Sequence, residues 1–255
     1  MPIPSYRIVS FDRQMGIGVA GSMQAAVGAV AKCNGPNAPY CVPNEFICVE
    51  IARFLRLPMP PSGIINAPAA PITQWFASLD FNLSGNALAP IDPMRSFAAL
   101  PDECTGLLLF DVLIANCDRH RGNLSINFAV HPPQMAVFDH SHALFGYHDG
   151  RGRDRLAQMR DRLAISGGSH TGPNRHCLLD AISTDSHMRK WLDRIAALPD
   201  FFIEDICNDA ASLGLTAAEA QDVIGFLKAR RHSLHRIIED NRDEFSAIKD
   251  WRLIL

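Results

Sequence analysis

Apolar residues near the start of the chain lie first in short runs and then at helical spacing. The short runs, such as the one at 27–31, fall in a Gly-, Ala- and Val-rich stretch and predict a twisted β-hairpin region over residues 1–42. Between residues 44 and 57 the apolar positions recur at i, i+4, i+7 and i+8, which predicts a helix. Asn44 is expected to cap this helix and Pro58 to end it.

The middle of the chain alternates between loops and buried elements. A proline-rich stretch predicts a connecting loop with at most a short strand at 62–66, and residues 74–100 predict irregular structure. The apolar segment 103–116 predicts a buried helix. Alternating apolar and polar residues on either side of a proline turn then predict a β-hairpin over 124–138.

The last third of the chain has the apolar spacing of helices. Residues 178–198 predict a mostly helical segment, and a capping box at Thr216 and Glu219 predicts a long helix that runs toward Asn241. A small β-rich part with one helix is therefore followed by a larger helical part that contains one hairpin. This order predicts an α+β fold.

Composition and charge argue against several classes of protein. The 255 residues include 24 basic and 27 acidic side chains, and the formal net charge of −3 argues against direct binding of nucleic acid. No apolar run reaches the roughly 18 residues that span a bilayer, and no signal peptide is recognisable. The seven cysteines are irregularly spaced and form no C-x-x-C pair, which is typical of a reducing compartment. We expect a cytoplasmic protein with no membrane span.

The clearest candidate for chemistry is the charged hexapeptide DRHRGN at 118–123, which interrupts the transition from helix to hairpin. Asp118 lies five positions before Asn123, and Asp139 follows 16 positions after Asn123, directly after the second hairpin strand. The Asp-to-Asn step equals that in the catalytic loop of protein kinases, and Asp139 takes the place of the metal-binding aspartate there.

This spacing suits phosphoryl transfer. The reaction needs a carboxylate that orients the attacking hydroxyl and accepts its proton, and Asp118 is the candidate for this role. It also needs hard oxygen ligands for Mg²⁺, which the side chains of Asn123 and Asp139 can supply. The predicted hairpin brings Asp139 back beside Asn123, so the two ligands are expected to converge on one metal site.

The segments IANCDRHRGNLSI at 114–126 and AVFDHSHALF at 136–145 resemble the HipA-like kinases, in particular the compact members of about this length. They are also similar, more distantly, to type II phosphatidylinositol 4-kinases. Upstream, a lysine in a predicted strand, an Asn-Glu pair and the sequence RLPMP at 56–60 resemble the same compact group. The resemblance implies a two-lobed protein-kinase-like fold, with a small nucleotide-binding lobe at 1–78 and a large catalytic lobe at 79–255.

The resemblance also implies roles for residues of the small lobe. Lys32 is expected to contact the ATP phosphates from a central strand and Glu45 to pair with it, with Glu50 as a second candidate partner. Gly21 and Ser22 match the Gly-Ser pair that begins the phosphate-facing segment of the compact group. From the residues alone, Lys32 also fits a solvated strand end, and Glu45 fits an acid that the helix dipole favours.

Two further features of the small lobe are compatible with nucleotide binding. Residues 16–21 formally match G-x-G-x-x-G, a pattern with little specificity of its own. The adenine is expected near residues 75–79, where Trp75 and Phe76 fit a hydrophobic core equally well.

The function that the resemblance implies is ATP- and Mg²⁺-dependent transfer of phosphate to a hydroxyl group, with Ser or Thr of a protein favoured over a lipid. The resemblance also allows a protein partner of the toxin–antitoxin type. The chain departs from the pattern of eukaryotic kinases, because Asn116-Cys117 precedes Asp118 and His140-Ser141 follows Asp139. Both departures argue against control through an activation loop of the eukaryotic type.

Two alternatives remain open at the level of the sequence. One is a metal-dependent phosphohydrolase, since Asp and His side chains are ligands for transition metals; its ligands would come from Asp118, His120, Asp139, His140 and His142. The other is a nucleotide-binding pseudokinase that acts as an interaction module.

Overall fold

The computed structural model describes residues 6, 8–14, 22–66, 74–82, 88–146, 151–166 and 175–252. Its first part is rich in β-structure. Strands β1 (Ile8–Gln14) and β2 (Met23–Val27) form an antiparallel pair. Strands β3 (Ala29–Cys33), β4 (Ser62–Asn66) and β5 (Gln74–Leu79) form an antiparallel sheet in the order β3-β5-β4, and helix α1 (Cys41–Phe54) connects β3 to β4.

The rest of the chain is mainly helical, with one hairpin. Its elements are α2 (Pro93–Ala99), α3 (Pro101–Leu113), β6 (Leu124–Asn127), β7 (Gln134–Val137), α4 (Gly152–Met159), α5 (Met188–Ala196), α6 (Asp200–Ala211), α7 (Ala217–Asp240) and a 3₁₀ turn at Arg242–Glu244. Among the residues described, no helix has both the length and the apolar character needed to cross a bilayer.

The predicted α+β class and the order of a small β-rich part before a larger helical part are confirmed. The hairpin β6–β7 and the strand β4 lie where the sequence predicts them. The capping box also forms, because Thr216 Oγ1 accepts from the Glu219 amide while Glu219 Oε2 accepts from the Thr216 amide at 2.8 Å. The division at residue 78 stays a prediction; β5 ends one residue later.

Several predicted boundaries are wrong. Helix α1 begins at Cys41, one turn before the expected cap, and the predicted helix 103–116 is α3, which begins and ends earlier. The segment 74–100 contains β5 and α2, because β5 is the central strand of its sheet, with Phe76 and Ala77 buried, and Asp92 caps α2. Only the second half of the segment 178–198 is helical.

One large apolar core joins α1 to α3, the hairpin and helices α5–α7. Helix α3 lies at its centre, and its side chains from Cys104 to Leu113 are buried. The packing of α3 on α5 requires Gly106, because a Cβ atom there would lie 2.2 Å from the Trp191 ring. Helix α3 is therefore a rigid support for the loop that follows it.

A buried arginine of α7 supports the same region. The guanidinium of Arg230 is fully buried and donates to the main chain at the ends of α3 and α4. Its acceptors are the carbonyls of Leu113 at 3.0 Å, Arg160 at 3.0 Å, Arg162 at 2.9 Å, Met159 and Val112. Two of these carbonyls also accept from main-chain amides, Val112 from Ala115 and Met159 from Arg162. For the other three Arg230 is the donor that the structure describes, so it satisfies groups that burial would otherwise leave unpaired.

We expect Arg230→Met to lower the free energy of unfolding by about 3 kcal/mol or more, because it leaves several buried carbonyls without donors. Urea denaturation measures this change. Arg236→Met on the same helix is the control: its side chain is 63% exposed and its ion pair with Asp161 spans 3.9 Å, so a change within about 0.5 kcal/mol is expected. Equal effects of the two substitutions would contradict the role given to Arg230.

Candidate active site

The loop between α3 and β6 carries Asp118 and Asn123 and is folded by its own hydrogen bonds. The Asp118 carbonyl accepts from the amide of His120 at 2.8 Å and from Asn123 Nδ2 at 3.0 Å. Because Nδ2 donates inward to the main chain, the other end of the amide, Oδ1, is the oxygen that remains for a cation. The carboxylate of Asp118 is 28% exposed, so it lies at the surface of the loop.

The hairpin returns Asp139 to the same end as Asn123. In the register of the hairpin Leu124 pairs with Val137. Asn123 directly precedes Leu124, and Asp139 follows Val137 by two positions. Asp139 has a φ of +63°, in the left-handed region, which aspartate tolerates better than most side chains. The expected convergence of Asn123 and Asp139 is therefore built into the hairpin.

Three ionised side chains meet where the β-rich part faces the hairpin. Lys32 Nζ lies 2.5 Å from Glu45 Oε1 and 2.7 Å from Asp139 Oδ1. The side chain of Glu45 is 2% exposed, whereas those of Lys32 and Asp139 are 28% and 32% exposed. The carboxylate of Glu45 thus holds the ammonium from inside, and Lys32 and Asp139 face the solvent.

Mutual attraction keeps all three groups charged. Burial lowers the pKa of Lys32, but the two carboxylates outweigh burial and raise it above its ordinary value. Burial raises the pKa of Asp139, but Lys32 and the hydrogen bonds from Ser141 outweigh it and hold that pKa well below its usual range. Burial also opposes ionisation of Glu45, yet His140 and Lys32 lower its pKa. The cluster therefore carries one positive and two negative charges at neutral pH.

His140, which the hydrolase alternative names as a metal ligand, is a further partner of this cluster. Its ring is fully buried, Nδ1 lies 3.4 Å from Glu45 Oε2, and the ring meets Phe110 of α3 edge-on at 5.8 Å between centroids. Glu45 is thereby tied to both the strand that carries Lys32 and the residue after Asp139. The contact spans 95 positions, so nothing in the local sequence could reveal it.

Asn44 also differs from its predicted role. Instead of capping α1, its buried side chain donates to the carbonyls of Ser141 at 2.8 Å and Gly146 at 3.1 Å. These acceptors lie in the segment after Asp139, so Asn44 fixes that segment against the helix that carries Glu45. The Asn-Glu pair thus connects the β-rich part to the hairpin.

His142 lies against Asp118, with 3.3 Å between Nδ1 and Oδ2. This contact connects the loop that carries Asp118 to the segment that follows Asp139. His120 makes a local contact instead, since its Nδ1 accepts from the Gly122 amide at 3.0 Å. The side chains of His120 and Arg121 are exposed.

The structure brings together five predicted site residues: Lys32, Glu45, Asp118, Asn123 and Asp139. Glu50, the second candidate partner for Lys32, pairs with Arg53 instead. The strand that carries Lys32 lies at the edge of its three-stranded sheet, which corrects the expectation of a central strand.

The nucleotide-binding features are placed less completely. Ser22 is exposed immediately before β2, whereas Gly21 and the glycine pattern at 16–21 lie outside the described residues. Phe76 is 5% exposed and packs against Val42, Val49 and Leu213, which supports its interpretation as a core residue. Trp75 is half-buried.

The donor set of the site fits Mg²⁺. Asn123 contributes an amide oxygen and Asp139 a carboxylate, and both are hard ligands of the kind this cation prefers. The contacts of Asp139 that the structure describes all use Oδ1, so Oδ2 remains for a cation. The described part of the chain contains no group of three or more His, Cys, Asp or Glu side chains arranged to hold a metal ion.

No protein-family model matches the sequence, and no curated protein matches it. Solved structures do match. The kinase CtkA of Helicobacter pylori, described as proinflammatory, is 14% identical with a TM-score of 0.55, over 86% of this chain and 91% of that chain. HipA of Shewanella oneidensis MR-1, solved with HipB and operator DNA, is 13% identical with a TM-score of 0.41, over 95% of this chain and 75% of that chain. The similarity to CtkA confirms the predicted kinase-like fold.

Proposed function

We propose that this protein transfers the γ-phosphate of ATP, with Mg²⁺, to a hydroxyl group, and that the acceptor is Ser or Thr of a protein. The observation that carries this proposal is the ion cluster in which Lys32 binds both Glu45 and Asp139. Next to it stands the hairpin, whose ends carry Asp118 and Asn123 on one side and Asp139 on the other. Fold similarity alone says little about activity, so the proposal depends on this arrangement.

Each residue of the cluster has a role that its surroundings favour. The ammonium of Lys32 is fixed by the buried Glu45 carboxylate and faces the solvent side, where it can bind phosphate oxygens. Asn123 and Asp139 would hold Mg²⁺, which supplies positive charge that stabilises the phosphates during transfer. Lys32 shares Asp139 Oδ1 with Ser141, so it already balances part of the charge of this ligand.

Asp118 is proposed to orient the acceptor hydroxyl and to accept its proton. Its carboxylate is partly exposed, and its only ion pair described is with His142, so one side remains open to an acceptor. The loop hydrogen bonds between Asp118, His120 and Asn123 hold this carboxylate at a fixed distance from a candidate metal ligand. Such fixed geometry is what phosphoryl transfer requires.

The histidines of the motif are placed unfavourably for the alternative of a metal-dependent phosphohydrolase. His140 is buried against Glu45 and Phe110, His142 lies against Asp118, and His120 contacts the main chain of its own loop. A hydrolytic transition-metal site needs such side chains to point at one centre. The arrangement therefore favours a kinase over this hydrolase.

The protein acceptor, a partner of the toxin–antitoxin type and a cytoplasmic location belong to the same proposal. They rest on the resemblance of the motif segments to HipA-like kinases. A lipid acceptor is the less favoured form of the proposal, and phosphate analysis of labelled products distinguishes the two.

We expect Lys32→Ala to lower the rate of phosphate transfer by about 10- to 100-fold, because it removes a fixed positive charge from the phosphate site. The chain should stay folded, since the side chain of Lys32 is partly exposed. The rate is measured with labelled ATP, and folding by thermal unfolding. Lys190→Ala is the matched control, because Lys190 is 54% exposed and pairs only with Asp102 of α3 among the residues described. Unchanged transfer, or unfolding at a much lower temperature, would support a structural role for Lys32 instead.

A further inference from the structure

Arg119, the residue after Asp118, is buried although it lies in a charged loop. Its side chain is fully buried and binds the equally buried carboxylate of Asp111 through two nitrogens. The distances are 2.8 Å from Nε to Oδ2 and 3.2 Å from Nη2 to Oδ1. This is the two-point geometry that makes arginine suited to fixed contacts. Asp111 lies in the last turns of α3, so the central helix of the core is the anchor.

The remaining nitrogen of Arg119 connects the two ends of the hairpin. Nη1 donates to the carbonyl of Asn123 at 2.7 Å and to the carbonyl of Phe138. Asn123 is one candidate metal ligand, and Phe138 directly precedes the other, Asp139. The Arg119 carbonyl in turn accepts from the amide of Cys177 at 2.9 Å. One guanidinium therefore touches the main chain next to both ligands.

Two further side chains complete the cluster around Asp111. Asn116 Nδ2 donates to Asp111 Oδ1 at 2.9 Å, and Asn116 Oδ1 accepts from the amide of Asp118 at 3.2 Å. His176 Nε2 lies 3.0 Å from Asp111 Oδ2. Because His176 Nδ1 accepts from the Leu178 amide at 3.1 Å, the proton resides on Nε2, which donates to the carboxylate. The cluster thus reaches Asp118 as well as the two metal ligands.

Stability alone is a poor reason for such a cluster. Removing two charges from water is costly, and well-packed apolar side chains of similar volume often stabilise a core as well or better. Arg119 and Asp111 are both completely buried, so this cost applies in full. Apolar contacts have no preferred direction, whereas the hydrogen bonds that Arg119 donates fix the positions of specific carbonyl oxygens.

We propose that Arg119, held by Asp111 and His176, is a positioning residue that sets the separation between Asn123 and Asp139. This inference rests on the proposed function in so far as these two residues hold Mg²⁺. Loosening the cluster is expected to free the ends of the hairpin and to weaken the metal site before it affects the rest of the fold. The proposal concerns the main chain of the hairpin and is therefore testable without metal or nucleotide.

The first test compares amide hydrogen exchange in the wild type and Arg119→Lys, both free of metal and nucleotide. Lysine keeps the charge but lacks the planar fork that reaches Asp111 and the two carbonyls together. We expect exchange to become about tenfold faster in peptides that cover residues 118–124 and 137–141, with the exchange of α7 unchanged. Unchanged exchange at both hairpin ends would overturn the proposal, as would a uniform increase that includes α7.

The second measurement uses nucleotide binding as a function of Mg²⁺. In Arg119→Lys we expect the half-saturating Mg²⁺ concentration to rise by about tenfold, the scale for residues that orient metal ligands. Affinity for ATP at saturating Mg²⁺ should change little. A merely structural role would reduce the amount of active protein and leave the Mg²⁺ dependence unchanged, which would also overturn the proposal.

His176→Leu provides a second variant in case Arg119→Lys does not fold. It removes one donor from Asp111 and leaves the contacts of Arg119 to both carbonyls in place, so a smaller change in the same direction is expected. No local change in this variant, with the chain folded, would contradict the proposal. If the wild type binds no Mg²⁺–ATP, the proposed function fails, and the metal measurement fails with it. The exchange measurement still decides whether Arg119 fixes the hairpin ends.

Discussion

Asp118→Asn is expected to lower phosphate transfer by roughly two to four orders of magnitude, the usual scale for a lost general base. Asparagine keeps the size of the side chain and can still contact His142, but it does not accept the proton of the acceptor hydroxyl. The hydrogen bond from Asn123 Nδ2 uses the main-chain carbonyl of residue 118, so the substitution leaves the loop intact. Affinity for Mg²⁺–ATP should therefore stay within about twofold of the wild type, because the metal ligands are Asn123 and Asp139.

The measurement is made on one preparation of each variant, with transfer rate, nucleotide affinity and metal content determined together. Lost transfer with retained nucleotide affinity supports the role of Asp118 as a base. A joint loss of bound metal and activity would contradict it. Recovery of activity in chelator-treated protein with Mn²⁺ or Zn²⁺ would favour the hydrolase alternative.

Asp139→Asn is expected to reduce the gain in ATP affinity that Mg²⁺ provides by at least about 100-fold and to abolish measurable transfer. The reason is that it removes the only carboxylate from the proposed ligand pair. Asparagine tolerates the left-handed backbone at this position, so the hairpin should keep its shape. Lys32 loses one of its two anionic partners and remains held by Glu45. The variant thus separates the metal site from the phosphate-binding lysine.

Titration calorimetry with ATP, with and without Mg²⁺, measures this effect. Asp209→Asn is the control, since Asp209 is exposed on α6 and lies outside the proposed site. The control should show the metal dependence of the wild type. Unchanged metal dependence in Asp139→Asn would show that Asp139 is not a ligand, and the pairing of Lys32 with Asp139 would then be a structural ion pair.

Features with local signals could be predicted from the sequence. The hairpin β6–β7 follows from alternation and a proline turn, and the start of α7 follows from Thr216 and Glu219, three positions apart. The spacing of Asp118, Asn123 and Asp139 is likewise local, because a hairpin fixes how far apart its ends lie. The geometry of these parts is set within about 20 residues of chain.

Features that depend on distant partners could not be predicted. Asn44 is of a residue type that often caps helices, but the carbonyls to which its side chain donates lie 97 and 102 positions away. Strand β5 is central in its sheet and all its residues are buried or half-buried, so it lacks the alternation of a strand with one exposed face. Arg119 has the sequence context of a surface loop, and only the tertiary placement of Asp111 and His176 explains its burial. The partners of polar residues in a motif can therefore be identified only from the structure.

Phosphate transfer to a protein acceptor is tested by incubating the chain with γ-labelled ATP, Mg²⁺ and a cell lysate, followed by mass-spectrometric location of the phosphate. Asp118→Asn is treated in parallel, so that labelling by other kinases of the lysate is subtracted. Phosphate is expected on Ser or Thr side chains of protein in the wild-type sample, and its loss is expected in the variant. Equal labelling in the two samples, or release of free phosphate alone, would contradict it.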